Sequence, residues 1–345
     1  MADQIITGLD LGSSTIRVAM ISVSKHGQLE VLALENIPSK GIDSGNIVDF
    51  DVASTDIRDV LKRVEEKTQK RLKNIFVSVK GLGISGMQAK GMLALGKRPR
   101  LISASDIDKC VRIASMIRMP EEKQIIQKEI QSFYIDEGDK VVDPEGLYAT
   151  KLGMELYVVI ADIAKIKNLY KCVEHSGYIL SGTVFAPIAI TKALSSFGKN
   201  KDMTTAIVDI GSHLTGIAFF KGKTLFHIAS VDLGSLDLAN DGAIEMFMNS
   251  IKQEFENIHT DEVICTGGGA LKEDLIEKMD TKLGISCKMG HASAEGCSIE
   301  VADTICHTGS LGVALYQAKK IKENIDSNWL SKAIKGLVNM MESYF

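Results

Sequence analysis

The chain has 345 residues, which is enough for two or three domains with sizeable hydrophobic cores. Its 45% hydrophobic and 24% charged residues are typical of a globular protein, and its net charge of −4 argues against a protein that binds nucleic acids. No apolar run is long enough to span a bilayer, and we expect no signal peptide before the first predicted strand. The six cysteines have no paired spacing and fit no zinc module, so we expect reduced thiols in a cytosolic protein.

An alternating apolar run over residues 5–21 predicts a β-hairpin around a turn of small residues. The backbone N–H groups of Gly12 and Ser13 can approach a phosphate closely, because neither residue has a bulky side chain. Asp10 stands where a carboxylate holds Mg²⁺ through water. The candidate phosphate-binding residues of this turn are Gly12, Ser13, Ser14, Thr15 and Arg17.

The next elements alternate between strands and helices until residue 83. A strand over residues 28–35 joins the hairpin, a helix runs from about Asp51 to Lys70 with Asp51 or Ser54 as its cap, and a buried strand covers 75–79. Residues 83–162 then predict a small α+β insert. Its predicted elements are strands at 84–87, 91–95, 124–134 and 152–160, and a helix from Ser105 to about Met119 that begins with Ser105 and Asp108 as a capping box.

A second turn of the same type occurs in the run at residues 206–220, with Asp209, Gly211, Ser212 and His213 in the places of the first turn. A strand then leads into Gly267, Gly268 and Gly269, where exposed backbone offers a surface for an adenosine. The other predicted elements of this part are helices at 163–176, 187–197, 235–258 and 308–322 and strands at 179–185, 223–231 and 286–289.

Two such turns, separated by most of a domain, predict a duplicated α/β fold with two phosphate loops facing each other across a cleft. Two unrelated hairpins and a glycine-rich turn are the alternative interpretation. The order of the three elements resembles that of the actin and Hsp70 ATPase superfamily. This resemblance implies that the cleft binds ATP and Mg²⁺, with Asp10 and Asp209 holding the metal through water.

Several short stretches make the resemblance closer, among them Val142-Asp143-Pro144-Glu145-Gly146-Leu147. The chain resembles the FtsA family, the bacterial actin homologues of cell division, in these stretches: residues 38–49, 102–108, 119–122, 131–136, 142–147, 171–177 and 266–270. The resemblance implies a first actin-like half at 1–82 and 163–190, an insert at 83–162, and a second half at 191–237 and 259–318. It also implies a filament-forming protein that contacts FtsZ and other divisome proteins.

Two departures from the family pattern keep other functions open. The second turn lacks the glycines and the closing aspartate that the family usually has, and His213 is either a phosphate donor or a partly exposed turn residue. Residues 238–258 have room only for one helix, where the family carries a further 2B-type subdomain. We therefore expect an ATP-binding scaffold with little or no turnover, with an actin-like ATPase and a pilus-assembly adaptor similar to PilM as alternatives.

Residues 329–345, after a polar linker at 319–328, have helical periodicity. One face of this helix is apolar, with Trp329, Leu330, Ile334, Leu337, Val338, Met341 and Phe345. This pattern is typical of a helix that lies in the membrane interface, and FtsA proteins end in such a helix. A helix docked on the protein's own core is the alternative. A single interfacial helix binds weakly, so we expect self-assembly to supply avidity at the cytoplasmic face of the cell membrane.

Overall fold

The computed structural model describes residues 3–81, 83–136, 138–194, 197–293 and 301–322. The first half-domain contains, in chain order, β1 (Gln4–Leu11), β2 (Thr15–Val23), β3 (Leu29–Pro38), β4 (Ile42–Asp43), β5 (Asn46–Ile47), α1 (Phe50–Thr68) and β6 (Ile75–Val79). The insert follows with β7 (Ser85–Ala94), β8 (Arg100–Leu101), α2 (Ala104–Ala114), β9 (Lys123–Ile135), β10 (Asp139–Val141), β11 (Tyr148–Ala149) and β12 (Lys151–Asp162).

The chain then returns to the first half-domain and crosses to the second. The returning elements are α3 (Ile163–His175), β13 (Leu180–Phe185) and α4 (Ala186–Ala193). The second half-domain contains β14 (Thr204–Ile210), β15 (Thr215–Lys221), β16 (Thr224–Val231), α5 (Asp241–Phe255), β17 (Glu262–Thr266), a 3₁₀ turn (Gly268–Leu271), α6 (Leu275–Leu283), β18 (Ser286–Met289), α7 (Val301–Cys306) and α8 (residues 308–322).

The two half-domains have the same sheet topology. The first sheet has the order β3-β2-β1-β6-β13 and the second has the order β16-β15-β14-β17-β18. In each, three antiparallel strands are followed by two strands that run parallel to the central one. This correspondence confirms the predicted duplicated α/β fold.

The insert is a separate layer built on a four-stranded sheet with the order β10-β9-β12-β7. The two predicted strands at 84–87 and 91–95 form the single strand β7, which pairs along its whole length with β12. Helix α2 packs its buried Cys110 and Ala114 on this sheet, within a core that includes Leu152 and Leu156.

Helix α8 packs directly on the first half-domain. A Cβ atom on Gly8 of β1 would overlap the carbonyl oxygen of Ser310, and one on Gly312 would overlap that of Ala189 in α4. Leu311 and Ala314 are fully buried against β1 and β2. Burial of one leucine side chain is worth about 1.5–3 kcal/mol, so this close contact binds α8 firmly to the sheet.

Several helix boundaries differ from the prediction. Helix α1 is capped by Asp49, whose carboxylate accepts the Val52 N–H at 3.0 Å, rather than by Asp51 or Ser54. Helix α2 ends at Ala114 instead of Met119, where the backbone changes to a tighter turn in which the Met116 N–H donates to the Ile113 carbonyl at 3.1 Å and the Met116 side chain is exposed. Helix α5 begins at Asp241 instead of Ser235, because the Asn240 side chain caps it.

The structure also bears on the ends of the predicted segments. Within the described residues, α5 is the one helix between β16 and β17, where a single helix is predicted at 238–258. Helix α8 continues to residue 322, so the first residues of the predicted linker at 319–328 are helical. The predicted membrane helix at 329–345 lies outside the described residues. No helix in the part of the chain that is described is long and apolar enough to cross a bilayer.

Candidate nucleotide cleft

The two predicted phosphate turns have the same geometry. The Gly12 N–H donates to the Thr15 carbonyl at 3.2 Å, and the Gly211 N–H donates to the Leu214 carbonyl at 2.9 Å. A Cβ atom on either glycine would lie 2.7 Å from the carbonyl oxygen that the residue's own N–H contacts, so each turn requires glycine at this point. The two half-domains therefore match in the hydrogen bonds of their turns as well as in the topology of their sheets.

Hydrogen bonds from a segment later in the chain hold each turn in place. The Ser44 N–H donates to the Ser13 hydroxyl at 2.9 Å, and the Ser39 N–H donates to the Ser14 carbonyl at 3.0 Å. In the second half-domain, the Ser235 N–H donates to the Gly211 carbonyl at 2.9 Å. Both turns are thus held rigidly at the edge of their sheets, as a preformed binding site requires.

The turns and the glycine run line one cleft between the half-domains. All of the predicted nucleotide-binding residues line this cleft except His213. Those that line it are Asp10, Gly12, Ser13, Ser14, Thr15, Arg17, Asp209, Gly211, Ser212, Gly267, Gly268 and Gly269.

His213 stands apart from this cleft. Its ring Nδ1 lies 3.5 Å from a carboxylate oxygen of Asp237, and its side chain is 40% exposed. His213 is therefore a partly exposed turn residue, and its side chain is not part of the cleft lining.

Lys80 is the residue that the sequence interpretation missed. It follows β6 directly, and its ammonium lies 3.0 Å from Oδ1 of Asp10, 3.2 Å from Oδ2 of Asp10 and 3.7 Å from Oδ2 of Asp209. The Ser78 hydroxyl donates to Asp10 Oδ1 at 2.6 Å. The two carboxylates predicted to hold a metal ion are therefore joined by a lysine.

The pKa values of Asp10 and Lys80 favour the charged forms of both side chains. Burial raises the pKa of Asp10, but Lys80, the Ser78 hydroxyl and Arg17 together hold the pKa below its usual value. Burial lowers the pKa of Lys80, but Asp10 and Asp209 outweigh this effect and raise the pKa. The ion pair is thus maintained across the neutral pH range.

The strand registers of the two sheets show which residue of the second half-domain corresponds to Lys80. Leu9 pairs with Val77 in the first sheet, and Val208 pairs with Cys265 in the second. Ser78 therefore corresponds to Thr266, whose hydroxyl lies 3.4 Å from Asp209 Oδ1, and Lys80 corresponds to Gly268. One half-domain places a cationic side chain at this point of the cleft, and the other places a glycine there.

The glycine run is shaped by close contacts. Gly267 has φ +84°, and a Cβ atom there would lie 2.5 Å from Asp209 Oδ1. Nη2 of Arg17 lies 3.4 Å from where a Cβ atom of Gly268 would be, so the guanidinium reaches across the cleft to the second half-domain. Arg17 is thus a cationic donor placed between the turns and the glycine run.

The residues present fit a nucleotide better than they fit a metal ion. Backbone N–H groups of two turns, the guanidinium of Arg17 and a glycine surface suit a polyphosphate and an adenosine. Mg²⁺ held through water needs free carboxylate charge, whereas the ammonium of Lys80 already forms ion pairs with both Asp10 and Asp209. The cleft is therefore a candidate site for an adenine nucleotide in which Mg²⁺ has no evident place.

Comparison with known proteins shows similarity to the cell division protein FtsA. The family model described as the SHS2 domain inserted in FTSA matches residues 81–160. The chain is 25% identical over 243 residues to the cell division protein FtsA of Pseudomonas aeruginosa, 26% over 219 residues to that of Streptococcus pneumoniae, and 25% over 256 residues to that of Bacillus subtilis. These matches cover 70%, 64% and 74% of the chain but 58%, 48% and 57% of the relatives, so the chain spans about half the length of the curated relatives it matches.

Solved structures show the fold. A structure of the PilM-PilN type IV pilus biogenesis complex matches with a TM-score of 0.66 and 13% identity, over 91% of this chain and 98% of that chain. The ethanolamine utilization protein EutJ from Carboxydothermus hydrogenoformans matches with a TM-score of 0.53 and 16% identity, over 92% of this chain and 91% of that one. Together with the sheet topology, these similarities show a duplicated actin-like fold, in a chain that is similar to FtsA proteins in sequence and in its insert.

Proposed function

We propose that the chain is a cell-division scaffold that self-assembles beneath the cytoplasmic membrane and tethers FtsZ there. The observation that carries this proposal is the FtsA-type insert at residues 81–160 on an actin-like body. In this proposal ATP binds in the cleft as an assembly ligand, and residues 329–345 bind the lipid surface. Other divisome proteins are its further partners.

The contents of the cleft favour a scaffold over an ATPase. Among the described residues that line the cleft, the carboxyl groups are those of Asp10 and Asp209, and both contact Lys80. Neither carboxylate is free to accept a proton from an attacking water, which is what a general base must do. We therefore propose that ATP is held with little or no turnover.

The membrane part of the proposal rests on the sequence of the last residues. Seven large apolar residues share one helical face of residues 329–345, and Trp329 is the only tryptophan of the chain. A helix of this kind lies in the interface with its apolar face in the lipid. Since one such helix binds weakly, assembly of the body supplies the further binding strength.

A three-component flotation assay tests the tether. Liposomes with anionic lipid, the 345-residue chain with ATP, and FtsZ polymers are mixed and floated. We expect FtsZ to float only when the chain is present. Leu337→Glu on the apolar face should weaken liposome binding by about tenfold or more, since a buried leucine is worth about 1.5–3 kcal/mol.

Asn339→Glu is the matched control, because it adds the same charge to the polar face and should leave binding nearly unchanged. Equal loss in both variants would contradict an interfacial helix. FtsZ that stays unbound while the chain floats would contradict the tether, and binding of a pilus-assembly protein instead would favour the adaptor alternative.

A further inference from the structure

Lys80 lies where two carboxylates from different half-domains converge. Its Nζ is within 3.2 Å of both oxygens of Asp10 and 3.7 Å from Asp209, and its side chain is 23% exposed. Asp10 belongs to the first phosphate turn and Asp209 to the second. The ammonium therefore bridges the two turns at the floor of the cleft.

The residues around Lys80 fix its position. A Cβ atom on Gly45 would overlap the carbonyl oxygen of Lys80, and Gly81 has φ +127°. The loop that carries Gly45 is held in turn by the hydrogen bond from Ser44 to Ser13. Lys80 is thus fixed through its backbone as well as through its ion pairs, unlike a lysine on a free surface.

An ammonium can make the contacts of a hydrated cation. Mg²⁺ that is held through water presents O–H donors to carboxylates, and a lysine presents three N–H donors at hydrogen-bond distance. Asp10 accepts a hydrogen bond from Lys80 at 3.2 Å, Asp209 lies within ion-pair distance at 3.7 Å, and Lys80 also lines the cleft, where a ligand would lie. Lys80 and Arg17 together balance the charge of the two carboxylates, which removes the electrostatic demand for a divalent ion.

We propose that Lys80 takes the place of the divalent cation, so that the cleft binds an adenine nucleotide without Mg²⁺. Lys80 and Arg17 are then the cationic contacts of the polyphosphate. This inference rests on the proposed function for the nucleotide, but the exclusion of the metal ion is a property of the ligand-free chain. The two parts are therefore measured separately.

The first measurement is Mn²⁺ binding to the full chain without nucleotide, followed by electron paramagnetic resonance. We expect the wild-type protein to show no saturable Mn²⁺ site that depends on Asp10. Lys80→Met, which keeps the length and removes the charge, should raise Mn²⁺ affinity by about tenfold or more, since two unpaired carboxylates then face each other. Lys67→Met is the matched control, because Lys67 is ion-paired with Glu35 in the same half-domain and does not line the cleft.

A saturable Mn²⁺ site in the wild type that Asp10→Asn removes would overturn the proposal. So would a folded Lys80→Met protein with wild-type Mn²⁺ affinity, with folding checked by circular dichroism. If Lys80→Met does not fold, the wild-type titration still decides the question.

The second measurement is ATP binding by calorimetry, in Mg²⁺ and in EDTA. We expect the two affinities to agree within about threefold. A loss of more than about tenfold in EDTA would overturn the metal-free site. Absence of ATP binding in both buffers would refute the nucleotide part of both proposals, while the Mn²⁺ titration still decides whether Lys80 excludes the cation.

Discussion

Gly267 is the residue whose backbone most directly shapes the cleft. Its φ of +84° is in the region that favours glycine, and the space for a side chain is already taken by Asp209 and by the carbonyl oxygen of Ile210. Any larger residue would have to displace one phosphate turn from the glycine run. The stability of the fold and ligand binding in the cleft therefore both depend on the absence of a side chain at residue 267.

Gly267→Ala should lower the free energy of unfolding by about 1–3 kcal/mol and abolish ATP binding, since the strained backbone and the close contact add together. Chemical denaturation and calorimetry measure the two effects. Gly242→Ala is the control, because Gly242 lies in α5, has no such φ, and a Cβ atom there would make only an ordinary contact of 3.4 Å with Asn240 Oδ1. A Gly267→Ala protein as stable as this control would contradict the argument.

The residues of the two turns could be predicted because their signal is local. A short Asp-x-Gly-Ser stretch between alternating apolar runs defines its own turn, as at Asp10 and Asp209. Lys80 could not be found in this way, since one lysine after a buried strand has no local pattern. The usable signal was topological: β6 runs parallel to β1, so the residues at its carboxyl end must meet the first turn.

At the scale of elements, the start of α2 shows how a long-range contact selects between neighbouring serines. Ser103 and Ser105 are both suitable caps by sequence. Arg100 makes two hydrogen bonds of 2.8 Å to Asp106, and Asp106 in turn accepts the Ser103 N–H at 3.0 Å. The helix therefore begins after Ser103, and the prediction of Ser105 with Asp108 was wrong.

Asp106→Asn should destabilise the protein by about 1–3 kcal/mol, because it removes a charged cap and a bidentate ion pair. Asp108→Asn, at the exposed position that the sequence suggested, should change stability by less than about 0.5 kcal/mol. Urea denaturation of the two variants measures the difference. Equal stability of the two variants would contradict the observed cap.

Glu155 joins three strands of the insert and should make its stability depend on acid. Hydrogen bonds from Lys90 on β7 and from Tyr134 and Ser132 on β9 lower its pKa from 4.5 to about 2. The stabilisation is fully present above pH 4.5 and is lost as the pH falls toward 2, because the unfolded chain binds the proton first.

The Glu155→Gln variant should therefore lose part of the acid dependence that the wild type shows between these pH values. Urea midpoints measured across the range test this. Glu145→Gln, at an exposed position in the same insert, is the control and should keep the wild-type pH profile. A Glu155→Gln profile that equals the wild type would contradict the assignment.

At the scale of the whole molecule, membrane binding should depend on how many chains act together. A dimeric carrier fused to residues 319–345 should bind anionic liposomes about 10²–10⁴ times more tightly than a monomeric carrier with the same segment. Co-sedimentation over a range of protein concentrations measures this. The dimeric carrier with Leu337→Glu controls for the carrier itself, and equal binding by one and two copies would contradict the role of assembly.

The course of α8 sets how far the body can stand from a lipid surface. The helix begins at the cleft, which Thr308 and Gly309 line, and it runs for about 22 Å at 1.5 Å per residue. At its far end Lys322 lies beside Gly27, in the turn between β2 and β3. Six residues, 323–328, separate this end from Trp329, so seven Cα–Cα steps join Lys322 to Trp329 and even a fully extended chain of that length reaches only about 25 Å. When residues 329–345 are anchored as proposed, the β2–β3 turn must lie close to the lipid, and its distance from the surface is limited by the reach of seven peptide units.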